Sequence, residues 1–318
     1  MNALFGTERI RFFRRLAFLC LIFCAGLSGP LSGSLSGEEY ARAGKPLFSD
    51  LLPYTQACGC VLCESDFLLE DDQRLQKDLI ELQEDLDAYL NVPLPEETVI
   101  LCLFSSWKSY NDFLKKKYPE APRDRPALYI KDNGPGVLMV IKDEQMYLNV
   151  RHEMTHAILN ASLRNVPIWL DEGLAKYFET PRGKRGYENP FLGQVKKGVN
   201  SWFMKVPSLA RLEKLQWINQ MGIREYRESW GWIHFMIHHS EETQRLLAGY
   251  LMELRPEKQR GISPDQAAEL QKGTPLTEIL KEHFPNYKQE YIDHFKAWDN
   301  RSAEPKRSFD YLSIFRSK

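Results

Sequence analysis

The sequence predicts an α+β fold: a small mixed N-terminal sheet with helices, then a mostly helical C-terminal half, with a site in the cleft between them. Three observations predict it. Short apolar runs recur between residues 61 and 142, as buried strands do. Leucines fall at 75, 79, 82, 86 and 90, the spacing of an amphipathic helix. Beyond residue 146 the apolar pattern takes a helical period. A sheet followed by helices suits an α+β arrangement.

The elements follow in order. Val61 to Leu69 reads as the first strand and Asp71 to Leu90 as the leucine-striped helix, ended by Pro93 and Pro95. Thr98 to Phe104 reads as a strand and Trp107 to Tyr118 as a helix. Ala127 to Ile130 and Val137 to Lys142 are two more strands leading into a helix around Tyr147 to Leu159. Val137 to Lys142 is either an ordinary sheet strand or an edge that takes an extended ligand by strand addition. Pro167 to Glu179 reads as the next helix, with proline near its start, where a missing N–H does least harm. Glu225 to His239, Glu242 to Leu254 and a pair within Pro275 to Trp298 complete the helical half.

Chemistry concentrates at two places. His152-Glu153-Met154-Thr155-His156 puts two histidines four apart, on one helical face, where their imidazoles can meet one metal ion. Glu153 can lean over the open side of that metal. The flanking Leu148, Val150, Met154, Ala157, Ile158 and Leu159 make the helix largely buried. Buried imidazoles and a carboxylate need partners, since an unpaired polar group costs roughly 1–3 kcal/mol. The second place is Trp169-Leu170-Asp171-Glu172-Gly173. Glu172 stands in an apolar stretch, where a carboxylate is costly without a cation or metal. Gly173 weakens a helix by roughly 1 kcal/mol, so its use is a close approach of two backbones. His152, His156 and Glu172 would make three ligands and leave a position for water, as in a catalytic zinc site.

The combination resembles the gluzincins, zinc peptidases whose third ligand is a glutamate on a following helix. The string W-L-x-E-G-x-A-x-Y-x-E over residues 169–179 is similar to the matching segment of their aminopeptidase-like branch. It is closer still to the smaller peptidase-MA-like proteins. The likeness spans roughly residues 64–300 and is strongest over 148–179. It implies a zincin-like fold, one Zn2+ per chain on His152, His156 and Glu172, and Glu153 as general base. It also implies Tyr226, in Tyr226-Arg227-Glu228-Ser229-Trp230-Gly231, as the transition-state tyrosine; the plain alternative is a tyrosine packed at a helix start. Two departures stand out. Thermolysin-like members place an aspartate four residues after the ligand glutamate, where this chain has Lys176, so some other acceptor must hold His152 or His156, and Glu179 or Asp171 could serve. The aminopeptidases' G-x-M-E-N segment is absent from the sequence, so exopeptidase activity at a free N-terminus is not implied.

Bulk properties narrow the setting. The 318 residues suffice for one large domain or two small ones, and 43% hydrophobic with 27% charged residues is ordinary for a globular protein. A net charge of −1 gives no support for nucleic-acid binding. Lys115 to Lys117 and the pair Arg123 and Arg125 read as solvated basic clusters. Arg9, Arg11, Arg14 and Arg15 precede an apolar run, Leu16 to Leu27, and a small-residue stretch, so residues 1–37 read as a signal peptide or an uncleaved N-terminal anchor. The protein is therefore expected to be exported, touching a membrane only through that segment. Residues 38–60 read as a lead-in, 61–300 as the metallopeptidase domain and 301–318 as a polar-aromatic tail. Cys58, Cys60, Cys63 and Cys102 fit disulfides or buried thiols better than a second metal site. His234 and His238, also four apart, sit on a helix apolar nearly all round, with no carboxylate between them, and read as packed histidines before a second metal pair. The expected partner is a peptide or protein substrate, and the sequence sets no oligomeric state. Two rivals to the peptidase remain at this point: a non-catalytic envelope scaffold that keeps the fold, and a zinc hydrolase of a non-peptide bond.

Overall fold

The computed structural model describes residues 46–298 except 59–60, 70–72, 94, 96–97, 132–134, 202–205 and 257–274. The signal or anchor, the start of the lead-in, the tail and Cys60 lie outside the described residues.

Five strands form one sheet: β1 (Tyr54–Cys58), β2 (Val61–Ser65), β3 (Val99–Phe104), β4 (Ala127–Ile130) and β5 (Val137–Ile141). Their spatial order is β1-β2-β3-β5-β4. β1 pairs antiparallel with β2, β2 and β5 flank β3 in parallel, and β4 pairs antiparallel with β5. Every residue of β2, β3 and β5 is buried, as expected of parallel strands covered on both faces. The period of two then divides the core. Val99, Leu101, Leu103, Leu138 and Val140 face one apolar cluster, while Ile100, Cys102, Phe104, Val137, Met139 and Ile141 face another.

Helices cover both faces. α1 (Gln73–Leu90) lays its leucine stripe into the first cluster. α2 (Trp107–Lys117), capped by the Ser106 side chain, sets Tyr110, Phe113 and Leu114 into the second. Phe48 and Leu52 join that second cluster, and the buried Glu64 carboxylate accepts the Leu47 and Phe48 N–H groups at 2.7 and 2.8 Å. The expected lead-in over 38–60 is thus corrected: its last part is docked chain and the hairpin strand β1. The segment Tyr-Thr-Gln-Ala-Cys carries too weak an apolar pattern to signal a strand, and pairing with β2 supplies the order. The first expected strand ends early, at Ser65, because Asp66 turns away to accept the Ser105 N–H at 2.8 Å. Cys58, Cys63 and Cys102 are buried thiols.

The helical half begins with α3 (Met146–Ser162) and α4 (Ile168–Phe178). Then come α5 (Phe191–Val199), the short α6 (Leu209–Leu212), a 3-10 turn over Ile218–Gln220, α7 (Ile223–His238), α8 (Glu241–Glu253), α9 (Leu276–His283) and α10 (Tyr287–Ala297). α7 is the hub, with Trp230, Trp232, Ile233, Phe235 and Met236 all fully buried. Gly173 permits its tight contact with α4: a Cβ there would lie 2.9 Å from Ile233 Cγ1 and 3.2 Å from the Ser229 backbone carbon. The architecture is therefore the expected α+β one, with the sheet first and the helical half after it. No described helix is long and apolar enough to cross a membrane. Of its two readings, β5 takes the ordinary one. It lies inside the sheet between β3 and β4, and the edge on that side belongs to β4.

Candidate metal centre

α3 and α4 bring three side chains to one point. His152 and His156, one turn apart, stand edge to face with ring centroids 4.9 Å apart and their Nε2 atoms 3.3 Å apart. Glu172 Oε2 lies 3.7 Å from His152 Nε2 and 3.8 Å from His156 Nε2. These are the three residues whose donor atoms could hold a metal ion among those described.

Each imidazole is held from behind. His152 Nδ1 is 3.0 Å from Glu179 Oε2, and His156 Nδ1 is 2.9 Å from Asp171 Oδ2. His152 Nδ1 is within hydrogen-bond reach of its carboxylate, while His156 Nδ1 faces Asp171 as an ion pair without hydrogen-bond geometry. A proton on Nδ1 would leave each Nε2 lone pair to the centre, as a metal-binding histidine requires. Both acceptors named from sequence are in use, one per histidine. Lys176 reaches the same Glu179 oxygen at 2.8 Å and acts as its counterion. Arg151, next to His152, is buried; it pairs with Asp78 of α1 and donates from Nε to the Glu179 carbonyl at 2.6 Å. That link fixes the end of α4.

The electrostatics favour a cation at the centre. Burial opposes charge on His156, yet Asp171, Glu172 and Glu153 outweigh it and push its pKa up to about 10. Burial raises the Glu172 pKa, with the two histidines pulling the other way. Burial also works to raise Glu179, but the bond from His152 and the charge of Lys176 win and hold it low. Glu172 Oε2 is buried with no hydrogen-bond partner, an arrangement that costs roughly 1–3 kcal/mol if left unsatisfied. Tetrahedral ligands at zinc distances of ~2.0–2.1 Å stand roughly 3.4 Å apart, close to the separations observed here. The donor set therefore fits a divalent metal.

The three residues open into a cavity of about 540 Å³. One wall is the β4 edge with Arg125 ahead of it; the other is formed by Phe191, Ile218, Ile223 and Tyr226. Glu153 is half-buried and lines this space beside the histidines. Tyr226, in the first turn of α7, lines it as well. Burial and then Glu172 push its pKa up to about 12, against the opposing charge of Arg125, so its hydroxyl keeps its proton at neutral pH. The five residues expected from sequence (His152, Glu153, His156, Glu172 and Tyr226) thus share one cavity.

Other expectations change. His234 and His238 are packed, as the apolar helix suggested. His234 spends Nε2 on the Gly186 carbonyl at 3.0 Å and Nδ1 on His294 at 3.1 Å, and His238 Nε2 meets the Tyr177 hydroxyl at 2.8 Å. Their nitrogens are committed elsewhere than to a second metal. Arg125, read as half of a solvated basic pair, lines the cavity, while Arg123 donates to the Pro119 carbonyl. Nothing local distinguishes the two. Only the position of Arg125 just ahead of β4 could have signalled the difference, and only once β4 was known to be the edge.

A family model described as "Protein of unknown function (DUF1570)" matches residues 148–255. The matched stretch runs from α3 to the end of α8 and contains all three candidate ligands, Glu153 and Tyr226, but neither the sheet nor Arg125. No curated protein matches the chain.

Proposed function

We propose that this protein is a zinc-dependent peptidase of the gluzincin type. One observation carries the reading: two inward-facing Nε2 atoms and an unpartnered Glu172 oxygen converge within tetrahedral spacing, and Glu153 stands beside them in an open cavity. His152, His156 and Glu172 would hold the zinc. Bound there, zinc would lower the pKa of a bound water to about 7 and polarise a carbonyl.

The chain's own groups do the rest. Glu153 accepts the proton of the attacking water and passes it to the leaving nitrogen. Tyr226, protonated at working pH, donates a hydrogen bond to the oxyanion that develops on the scissile carbonyl. Glu179 and Asp171 keep the two imidazoles turned so that their Nε2 atoms face the centre. β4 is an edge strand that lines the cavity, and an extended peptide can lie along it. The basic and apolar N-terminal pattern supports action outside the cytoplasm. Fractionation of cells expressing the full chain tests that placement, and a cytoplasmic product with an intact N-terminus counts against it.

The decisive experiment has two arms. The purified protein should carry about one zinc per chain and lose it on His156→Ala; a zinc-free protein of full thermal stability sinks the reading. Glu153→Gln should keep zinc and lose cleavage of a mixed peptide library. Cleavage at the parental rate would remove Glu153 from its role.

A further inference from the structure

Seven charged or imidazole side chains line the cavity: Arg125, His152, Glu153, His156, Asp171, Glu172 and Lys176. Sorting them by partner separates them. His152 and Lys176 share Glu179, His156 faces Asp171, and Glu172 points between the two Nε2 atoms. Among the described residues, Glu153 and Arg125 are left with no ion pair or hydrogen bond. The sorting thus recovers the proposed general base, and beside it a guanidinium. Elsewhere in the molecule Arg151, Arg182, Arg185 and Arg211 each face a carboxylate. Arg125 has carboxylates in its own cavity and pairs with none of them.

Its place gives it a use. Arg125 is exposed and precedes the free edge strand β4 by two residues, roughly 7 Å of extended chain. Its charge reaches across the cavity to the Tyr226 hydroxyl, pulling against burial and Glu172. A peptide lying along β4 passes it. A guanidinium presents a planar fork of donors that matches a carboxylate in two parallel bonds, and carboxylates are the anionic groups an unmodified peptide carries. The opposite lip is apolar, with Ile218 and Ile223 exposed at 41% and 75%, and offers nothing to an anion.

We propose that Arg125 is the anion-recognition residue of this cleft: it binds a carboxylate of the substrate peptide and so selects peptides that carry one near the bond to be cut. The inference rests on the peptidase reading above, and its test separates the two. Labelled peptides are titrated by fluorescence anisotropy into the zinc-loaded Glu153→Gln protein, and their unlabelled counterparts are offered to the parental enzyme. One set scans a single glutamate through a neutral peptide with an amidated C-terminus, one replaces that glutamate by glutamine, and one keeps glutamine but frees the C-terminus.

A carboxylate-bearing set should bind roughly tenfold tighter than the neutral one. The glutamate set leading assigns a side-chain carboxylate; the free-terminus set leading assigns the C-terminal one. Arg125→Gln should abolish the preference and Arg125→Lys should restore part of it, both with an unchanged Tm because no internal partner is lost. Equal binding of all three sets, a preference that survives Arg125→Gln, or binding of no set overturns the proposal. A preference that depends on Arg125 in a protein that cleaves none of the peptides upholds it and removes the peptidase reading.

Discussion

Replacing Gly173 by alanine tests whether the contact between α4 and α7 holds the metal centre together. Two opposing effects set the result. Alanine favours the helix by roughly 1 kcal/mol over glycine, so an open position would gain stability. Here the new Cβ would stand 2.9 Å from Ile233 Cγ1 and 3.2 Å from the Ser229 carbonyl carbon. Neither neighbour yields easily: Ile233 is fully buried at the centre of α7, and the Ser229 atom is helix backbone. Overpacking of this kind costs typically 1–3 kcal/mol, so the net change is a loss of roughly 1 kcal/mol. For a domain of this size that is ~2–4 °C in Tm. Glu172 is the adjacent residue, so a shift of α4 away from α7 also moves a candidate ligand, and zinc affinity should fall together with Tm. Thermal unfolding followed by circular dichroism, with and without zinc, measures both. A cycle with Ile233→Ala isolates the cause, because the alanine at 173 should cost less once Ile233 is truncated. A Gly173→Ala protein that melts at or above the parental temperature would refute the close-approach argument, since helix propensity would then have won.

Three further outcomes follow from the same contacts. Glu179→Gln should weaken zinc binding roughly 10–100-fold, because it removes the charge that orients His152; competition with a chromogenic chelator measures it, and unchanged affinity would dismiss Glu179 as a holder. Asp85→Asn should destabilise the fold by roughly 3–5 kcal/mol, since the fully buried Asp85 faces Arg185, itself only 1% exposed, as well as Arg182. A loss below roughly 1 kcal/mol in urea unfolding would contradict this. The buried histidines should make the protein acid-sensitive. Burial above all holds His238 down to about 3 and His294 to about 2, with neighbouring histidines, and for His238 also Arg185, adding repulsion. The unfolded chain takes up protons below about pH 6.5 while these folded-state groups do not. Stability therefore drops as pH falls from about 6.5 toward 3, by up to roughly 1.4 kcal/mol per pH unit for each histidine. Urea midpoints between pH 7 and 5 should show this slope, reduced by about one proton in His294→Gln; a flat profile refutes it.

The site was legible where its logic is local. Two histidines four residues apart share a helical face whatever the rest of the chain does, and a glutamate in an apolar stretch on the next helix needs a cation. These arguments use only near neighbours, and His152, His156 and Glu172 met as expected. The helices α2, α3 and α4 followed from periodicity in the same way, α3 running three residues past the Leu159 where its apolar pattern ends. What failed depended on distant pairing. β1 carries almost no strand signal and is ordered by β2. That β5 is interior and β4 the edge follows from strand order, which no local pattern encodes. Arg125 inherits that blindness, because its role depends on which strand is the edge. Asp78, which steadies the α4 terminus through Arg151, lies 73 residues before its partner.

The supporting contacts also explain why one helix can carry so much of the centre. α4 and its cap supply Glu172 as candidate ligand, Asp171 behind His156 and Glu179 behind His152. Moved as a rigid body, α4 would disturb one ligand and the orientation of the two others at once. Its position is accordingly fixed at several points: Gly173 against α7, the Arg151 bond at its C-terminal end, and the Lys176 carbonyl, which accepts from Asn189 at 2.9 Å. A zinc ion held there as proposed would add stability as the logarithm of one plus its free concentration over its dissociation constant. If the centre holds zinc as proposed, these helix contacts far from the candidate ligands also set its affinity, so substitutions that loosen α4 should read out in zinc binding before they read out in secondary structure.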